Sequence, residues 1–467
     1  MKKLSILIVA MFLTANLSAQ TAPDETQNKI KQLEAQVQTI LVELEKLKKA
    51  SQIPAKAAKV EAPKATPVAA KQTESEKKPI GIEVGNGIRL IPYGTIYFNA
   101  FGNSGGTNNA DVPIFATPSG SGNVSASVRQ TRLGFRLEGV KVGKAKLTGV
   151  FEGDFFGGFP SISTGENFGL FRVRLAYARL DWEKTTVTVG QDWMVFAPVN
   201  PVSMAAAGNP QLAAAGNNWA RLPQLKIEHK FGSHVTWQGA LLEQQTADFT
   251  ANAAFVIQST SGAASRVPFL QTRIAFADKN WFGTKKTGSI GLSGHYGRSR
   301  VFTGTTNIRN DIDSDGIALD WNFPISTRIS VLGEALTGEN LGGFQGGVFQ
   351  SYNNDLARRV GSTLVPGGVK SIKTRGGWVQ IGFTPPVLDE RLSIYGSIGI
   401  DDPDNKDLVS ISHRDWRTRN LAFATNATYK FTPNFSVGAE FRRFQTNYFY
   451  SGRQNSNHVN LGASYSF

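Results

Sequence analysis

From Ile88 to Phe467 the chain alternates apolar and polar residues, and its longer breaks fall mostly at every second connection. A two-residue period makes a strand with one apolar and one polar face. Phe171, Val173, Leu175 and Tyr177 alternate with Arg172, Arg174 and Ala176; Ile317, Leu319, Trp321 and Phe323 alternate with Ala318, Asp320 and Asn322. Sixteen such runs are predicted, near 88–101, 125–140, 143–157, 169–183, 185–194, 221–231, 233–247, 265–278, 287–301, 310–324, 327–340, 370–385, 389–403, 412–432, 434–450 and 456–467. Even-numbered connections are mostly tight, as at 183–185, 230–233, 324–327 and 431–434. Odd-numbered ones are mostly longer, at 102–124, 195–220, 248–264 and 341–369.

A soluble sandwich has no reason to gather its long loops at one end, whereas an outer-membrane barrel does. An even strand number also returns the C-terminus to the side on which the chain enters. The pattern therefore predicts an all-β membrane protein: a 16-stranded antiparallel transmembrane β-barrel over 81–467, preceded by a short N-terminal coiled-coil helix. Only a closed barrel satisfies every strand's backbone groups in hydrocarbon, so the apolar face meets lipid and the polar face lines a channel. Trp182, Trp281, Phe282, Phe323, Tyr429, Phe431, Phe435 and Tyr465 fall at short-turn strand ends, where an interfacial girdle belongs.

The N-terminal segments are chemically different. Residues 1–19, with Met1-Lys2-Lys3, an apolar run and Leu17-Ser18-Ala19, read as a secretory signal. Export makes nucleic acid an unsuitable partner for this basic chain, whose formal charge is +14. In 20–50, Ile30, Leu33, Val37, Ile40, Leu44 and Leu47 recur at alternating spacings of three and four, the seam of a self-associating coiled coil. The heptads leave dimer and trimer open, with the Val, Ile and Leu mix favouring three strands. Residues 51–80, rich in Ala, Lys and Pro, read as a flexible linker. With no Cys, disulfides and thiolate metal sites are excluded.

Projecting the alternation inward places Arg132, Arg136, Arg172, Arg174, Lys226, Arg273, Arg375 and Arg442 on the lumen face. The acids Glu152, Asp154, Asp192 and Glu334 lie among them. An Arg facing hydrocarbon at mid-depth costs ~2–4 kcal/mol, which argues for the inward phase. Basic pore linings favour anions; alternatively, Arg and acid pair to brace the wall. Loop 195–220, rich in Ala, Gly and Asn, narrows the pore if it folds inward and is an ordinary surface loop otherwise. Asp311, Asp313 and Asp315 imitate the start of a calcium loop, but Asn322 stands where a bidentate Glu is needed, leaving only a weak metal candidate. Asp401, Asp402, Asp404 and Asp407 form a second acidic run. No cofactor is expected. The five His are scattered, with His458 near Ser456 the closest approach to a hydrolytic pair, so no enzyme is expected.

The stretches "ASVRQTRLGFRLEG" (126–139), "LTGVFEGDFFG" (147–157), "RVRLAYARLDW" (172–182) and "VGQDWMVFAP" (189–198) resemble the DcaP-like family of trimeric outer-membrane porins. "RLPQLKIEH" (221–229) and "RLSIYGSIGIDDP" (391–403) extend the resemblance. It implies a homotrimer in the outer membrane, with the N-terminal segment in the periplasm and passive uptake of anionic, in particular dicarboxylic, solutes. It also implies that Arg129 joins Arg132 as a pore motif. The resulting expectation is a diffusion porin contacting outer-membrane lipid and lipopolysaccharide. The alternative is a structural protein that tethers the membrane to the cell wall through the coiled coil and linker. In either case "NHVNLGASYSF" (457–467) is the closing strand, with Tyr465 and Phe467 serving closure and assembly.

Overall fold

The computed structural model describes residues 81–158, 169–246, 260–303 and 308–467. The expected signal, coiled coil and linker lie outside the described residues. Sixteen strands form one closed antiparallel ladder. They are β1 (Ile88–Thr107), β2 (Ala116–Ser127 and Arg132–Val142), β3 (Ala145–Asp154), β4 (Arg172–Asp181), β5 (Thr185–Trp193) and β6 (Arg221–Phe231). There follow β7 (Val235–Leu242), β8 (Phe269–Asp278), β9 (Gly288–Thr303), β10 (Ile308–Pro324) and β11 (Ile329–Glu339). The last are β12 (Lys373–Phe383), β13 (Leu392–Pro403), β14 (Arg417–Lys430), β15 (Phe435–Tyr448) and β16 (Gly452–Ser466).

The seam closes between β16 and β1, from Thr95↔Ser466 to Asn103↔His458. The Phe467 amide donates to Gly94 O at 3.1 Å and the Gly94 amide to Phe467 O at 3.2 Å, so the ladder continues to the terminal residue. Gly94 is required there, because a Cβ would lie 2.7 Å from the Phe467 ring and 2.8 Å from Arg132 O. A short arm, Ile82–Gly85, pairs with β1 at Ile82↔Leu90, beyond the point where β16 stops. Neither edge is left open for non-specific pairing.

Two sequence expectations are corrected. The connection placed at 102–124 shrinks to 108–115, because β1 and β2 continue as a ladder through Gly105↔Ser121 and Thr107↔Ala116. Small residues carry little apolar signal, so this part of the ladder reads as loop. The strand expected at 125–140 is interrupted at 128–131 by a turn, in which the Thr131 amide donates to Val128 O at 2.9 Å. The break puts the adjacent side chains of Arg129 and Gln130 both in buried positions, which a regular strand cannot do.

The outer face is an apolar belt: Ile96, Phe98, Leu133, Val189, Ile274, Leu292, Ile317, Ile381, Val459 and Leu461 are all exposed. At the short-turn end aromatic side chains collect. Trp281 stacks on Phe323 at 5.4 Å, and Phe431 packs between Tyr429 and Phe435. No helix among the described residues is long and apolar enough to cross a membrane. Buried apolar clusters instead lie inside the barrel, where loop residues Met194–Ala197, Leu341 and Phe344 meet the wall at Leu222, Leu242, Phe269 and Leu336.

Candidate functional site

The inner wall is polar because strand alternation turns Asn99, Gln271, Ser293, Asp320, Gln380, Asn420 and Asn460 away from the apolar belt. Loop 194–220, which joins β5 to β6, folds into this space. Its backbone meets successive wall strands in circumferential order. The Val195 and Phe196 amides both donate to Gln271 Oε1 on β8, at 2.9 and 3.0 Å. The Ala197 amide donates to Ser293 Oγ on β9, and the Val199 amide to Glu334 Oε1 on β11 at 2.7 Å.

Val202 then exchanges two hydrogen bonds with the Gln380 amide on β12, while Asn426 on β14 donates to Val202 O. Ser203 Oγ donates to Glu440 on β15, and Ser464 Oγ on β16 approaches Met204 Sδ at 3.6 Å. Past the seam, Gln130 Nε2 donates to Ala205 O and its Oε1 accepts from the Gly208 amide. Arg174 and Arg172 on β4 donate to Ala207 O and Gly208 O.

Segment 195–208 is therefore a belt laid against the inner wall. Wall side chains satisfy the backbone groups that a buried loop would otherwise leave unpaired. The chain then crosses to β12–β14, where Ser397 Oγ donates to Gln211 and Asn420 Nδ2 donates to Ala214 O. Gly216, at φ +92°, lies so close to β12 that a Cβ would come within 2.3 Å of Gly377 O. Ile114 and Phe115 of loop 108–115 pack with Ala213, Ala214 and Val348.

The structure places the expected charged residues as follows. Arg129 pairs with Asp111 at 2.5 Å, Arg136 with Glu138 at 2.5 Å, and Arg172 with Asp154 at 2.7 Å. Arg174 bridges Glu152 and Asp154, at 2.7 and 2.8 Å. Lys226 pairs with Asp192 and Arg273 with Asp320, at 2.5 and 2.6 Å, and Arg442 pairs with Glu440. Arg129 and Arg172 also lie over the Phe156 ring, at 3.8 and 5.1 Å. Arg132 differs: its guanidinium reaches the Tyr97 hydroxyl at 3.2 Å, and it has no carboxylate partner among the described residues. Glu334 is buried between the Val199 amide and Trp378 Nε1.

Arg375 is the exception to the inward assignment. It stands on the outer face beside Asp402, with 80 % of its side chain exposed, while its neighbour Thr374 points inward. It lies at the long-loop rim above the apolar belt, where the hydrocarbon penalty that argues for an inward phase does not apply. Asp311 and Asp313 likewise lie on a strand, β10, with Asp311 held by Arg300 and Arg309 and Asp313 by Arg298. No group of metal-ligating side chains converges among the described residues. Asp401 accepts from the Val348 amide and Thr374, and Asp407 pairs with Lys370, so the second acidic run is dispersed. His458 hydrogen-bonds Asn103 at 2.9 Å, and Ser456 Oγ donates to Gly105 O, so the two are not engaged with each other.

The belt anchors Gln130, Gln271, Gln380 and Glu440 escape sequence reasoning. Their only signal is an amide or carboxylate in the inward phase, and neither names a loop as its partner. Two open spaces remain beside β2–β6. One of about 360 Å³ lies against Asp111, Ser127 and Arg129. The other, of about 290 Å³, lies towards the short turns against Arg179, Asp192, Lys226 and Lys230.

No family model matches the chain, and no curated protein matches it in sequence. Among solved structures it is similar to the outer membrane channel DcaP of Acinetobacter baumannii, at 19% identity and a TM-score of 0.60, over 83% of this chain and 99% of that one. It is also similar to an anion-selective porin from Comamonas acidovorans, at 12% identity and a TM-score of 0.50, over 81% and 100%. Salmonella typhi OmpF, in a complex with daunomycin, matches at 13% identity and a TM-score of 0.50, over 83% and 100%. The shared feature is the fold: a porin-like barrel.

Proposed function

We propose that the chain is an outer-membrane porin through which small anionic solutes, carboxylates and dicarboxylates among them, diffuse passively. The observation that carries the charge preference is Arg132. The other inward cations expected from the sequence are matched by carboxylates, and a matched pair contributes little net field. Among the described residues Arg132, on β2, donates to a tyrosine hydroxyl and forms no ion pair. An unmatched cation on the channel wall supports a modest anion preference. The carboxylate-paired arginines then brace the wall and the belt.

The heptads of residues 30–47 and the resemblance to trimeric porins support a homotrimer with its N-terminal segment in the periplasm. The test is the reversal potential of Arg132→Gln in a potassium chloride gradient. The variant should move towards zero relative to the unaltered channel, with conductance largely kept. An unchanged reversal potential would remove Arg132 from the account.

A further inference from the structure

Just above the apolar belt, the long-loop rim of the outer face carries a ring of charged side chains, and most are matched. Arg298 pairs with Asp313 at 3.1 Å, Arg300 with Asp311 at 2.8 Å, Lys373 with Glu339 at 3.7 Å and Arg375 with Asp402 at 3.3 Å. The pattern changes on β14–β16. Arg419, Arg443 and Arg453 are exposed there, and none of them pairs with a carboxylate among the described residues.

The register brings the three together. Asn447 faces Arg419 across one ladder and Arg453 across the other, while Arg443 faces Phe423 and Asn457. Arg453 Nε donates to Asn447 Oδ1 at 3.4 Å. Nearby acids are already committed: Asp402 to Arg375, and Asp415 to the Ser451 hydroxyl and the Tyr450 amide. Below the patch, the same face exposes Phe423, Phe441 and Val459.

Three strands span about 10 Å, and the four residue steps from Arg443 to Asn447 about 13 Å. Three unmatched guanidiniums in such an area, immediately above an apolar surface, complement an amphiphile with phosphates on its head group. Guanidinium forks take phosphate oxygens two at a time. We propose that this face binds the phosphates of an outer-leaflet glycolipid, with Arg419, Arg443 and Arg453 holding the head group and Phe423, Phe441 and Val459 lying under its acyl chains. The inference rests on the outer-membrane reading given above.

The test uses the full-chain protein purified in detergent. It is titrated with a diphosphorylated glucosamine-disaccharide lipid, its monophosphorylated form and phosphatidylethanolamine, and bound lipid is counted by native mass spectrometry. The diphosphorylated lipid should bind tightest. The triple variant Arg419→Gln/Arg443→Gln/Arg453→Gln should lose at least about tenfold in affinity, as expected for lost charge-assisted hydrogen bonds. The matched-pair variant Arg298→Gln/Arg300→Gln should bind as the unaltered protein does.

Binding to the unaltered protein should also weaken as salt is raised. Equal affinity in the triple variant, or salt-independent binding, would overturn the proposal. So would loss of oligomer in the triple variant with no lipid bound to the unaltered protein, which would assign the face to a second copy. Conductance in planar bilayers is read separately. A silent unaltered channel would refute the porin reading, whereas the lipid titration speaks only to this patch.

Discussion

Replacing Gln271 by Met removes one side-chain oxygen at nearly constant volume, and that oxygen holds the start of the belt. Gln271 is fully buried, and its Oε1 accepts from the Val195 and Phe196 amides at 2.9 and 3.0 Å. A thioether cannot replace it, so two buried N–H groups lose their acceptor, at roughly 1–3 kcal/mol each. Part of this is recovered if the segment shifts towards water, so the local destabilisation should be about 2–4 kcal/mol. At 1.4 kcal/mol per factor of ten, that corresponds to roughly 30- to 700-fold faster opening-limited exchange of these two amides.

The assay is hydrogen exchange of the belt in the folded, detergent-solubilised protein, with β-strand amides as internal reference. Acceleration should be confined to the belt, because the next anchors, Ser293 and Glu334, remain. Unchanged exchange at Val195 and Phe196 would refute the claim that wall side chains hold the loop inside.

Other outcomes follow from particular contacts. Deleting Phe467 removes both backbone hydrogen bonds to Gly94 and should lower the yield of folded barrel more than it alters single-channel conductance; a normal yield would count against its role in closure. Arg273→Met leaves the buried Asp320 carboxylate without its bidentate partner. It should destabilise the barrel by about 3–5 kcal/mol in urea titrations, and Arg273→Met/Asp320→Leu should recover most of that loss.

Asp415 lies in loop 404–416. Burial pushes its carboxyl up, but hydrogen bonds from the Ser451 hydroxyl and the Tyr450 and Ser451 amides outweigh this and hold it below the usual carboxylate range. A depressed folded-state pKa stabilises the 404–416/449–451 contact above the unfolded pKa, and the gain is lost as pH falls through the folded value. Protease access to loop 404–416 should therefore rise only in strong acid, and Asp415→Asn should remove that pH dependence.

Strand number, strand phase and the uneven connections could be read directly, since each depends on residues two apart or on local turn chemistry. The aromatic clustering at the short-turn end could be read for the same reason. The break at 128–131 could not, because Arg129 and Gln130 are ordinary strand neighbours until tertiary contacts pull both inward. Arg375 was misplaced by an energetic argument valid only within the hydrocarbon, and its height depends on the whole register. The belt was hardest to foresee. Ala, Gly and Asn suit an outer loop as well as an inner one, and its anchors, from Gln130 to Ser464, are scattered along the chain. They share one circumference only once every strand is in register.

The most direct test of the central claim is single-channel recording of the unaltered protein in planar bilayers. Reversal potential would be measured in gradients of potassium chloride, then of a monocarboxylate and a dicarboxylate. The account predicts stepwise conductance with a modest preference for the anion in each salt. Absence of conductance would contradict the channel, and cation selectivity would contradict the anionic solute.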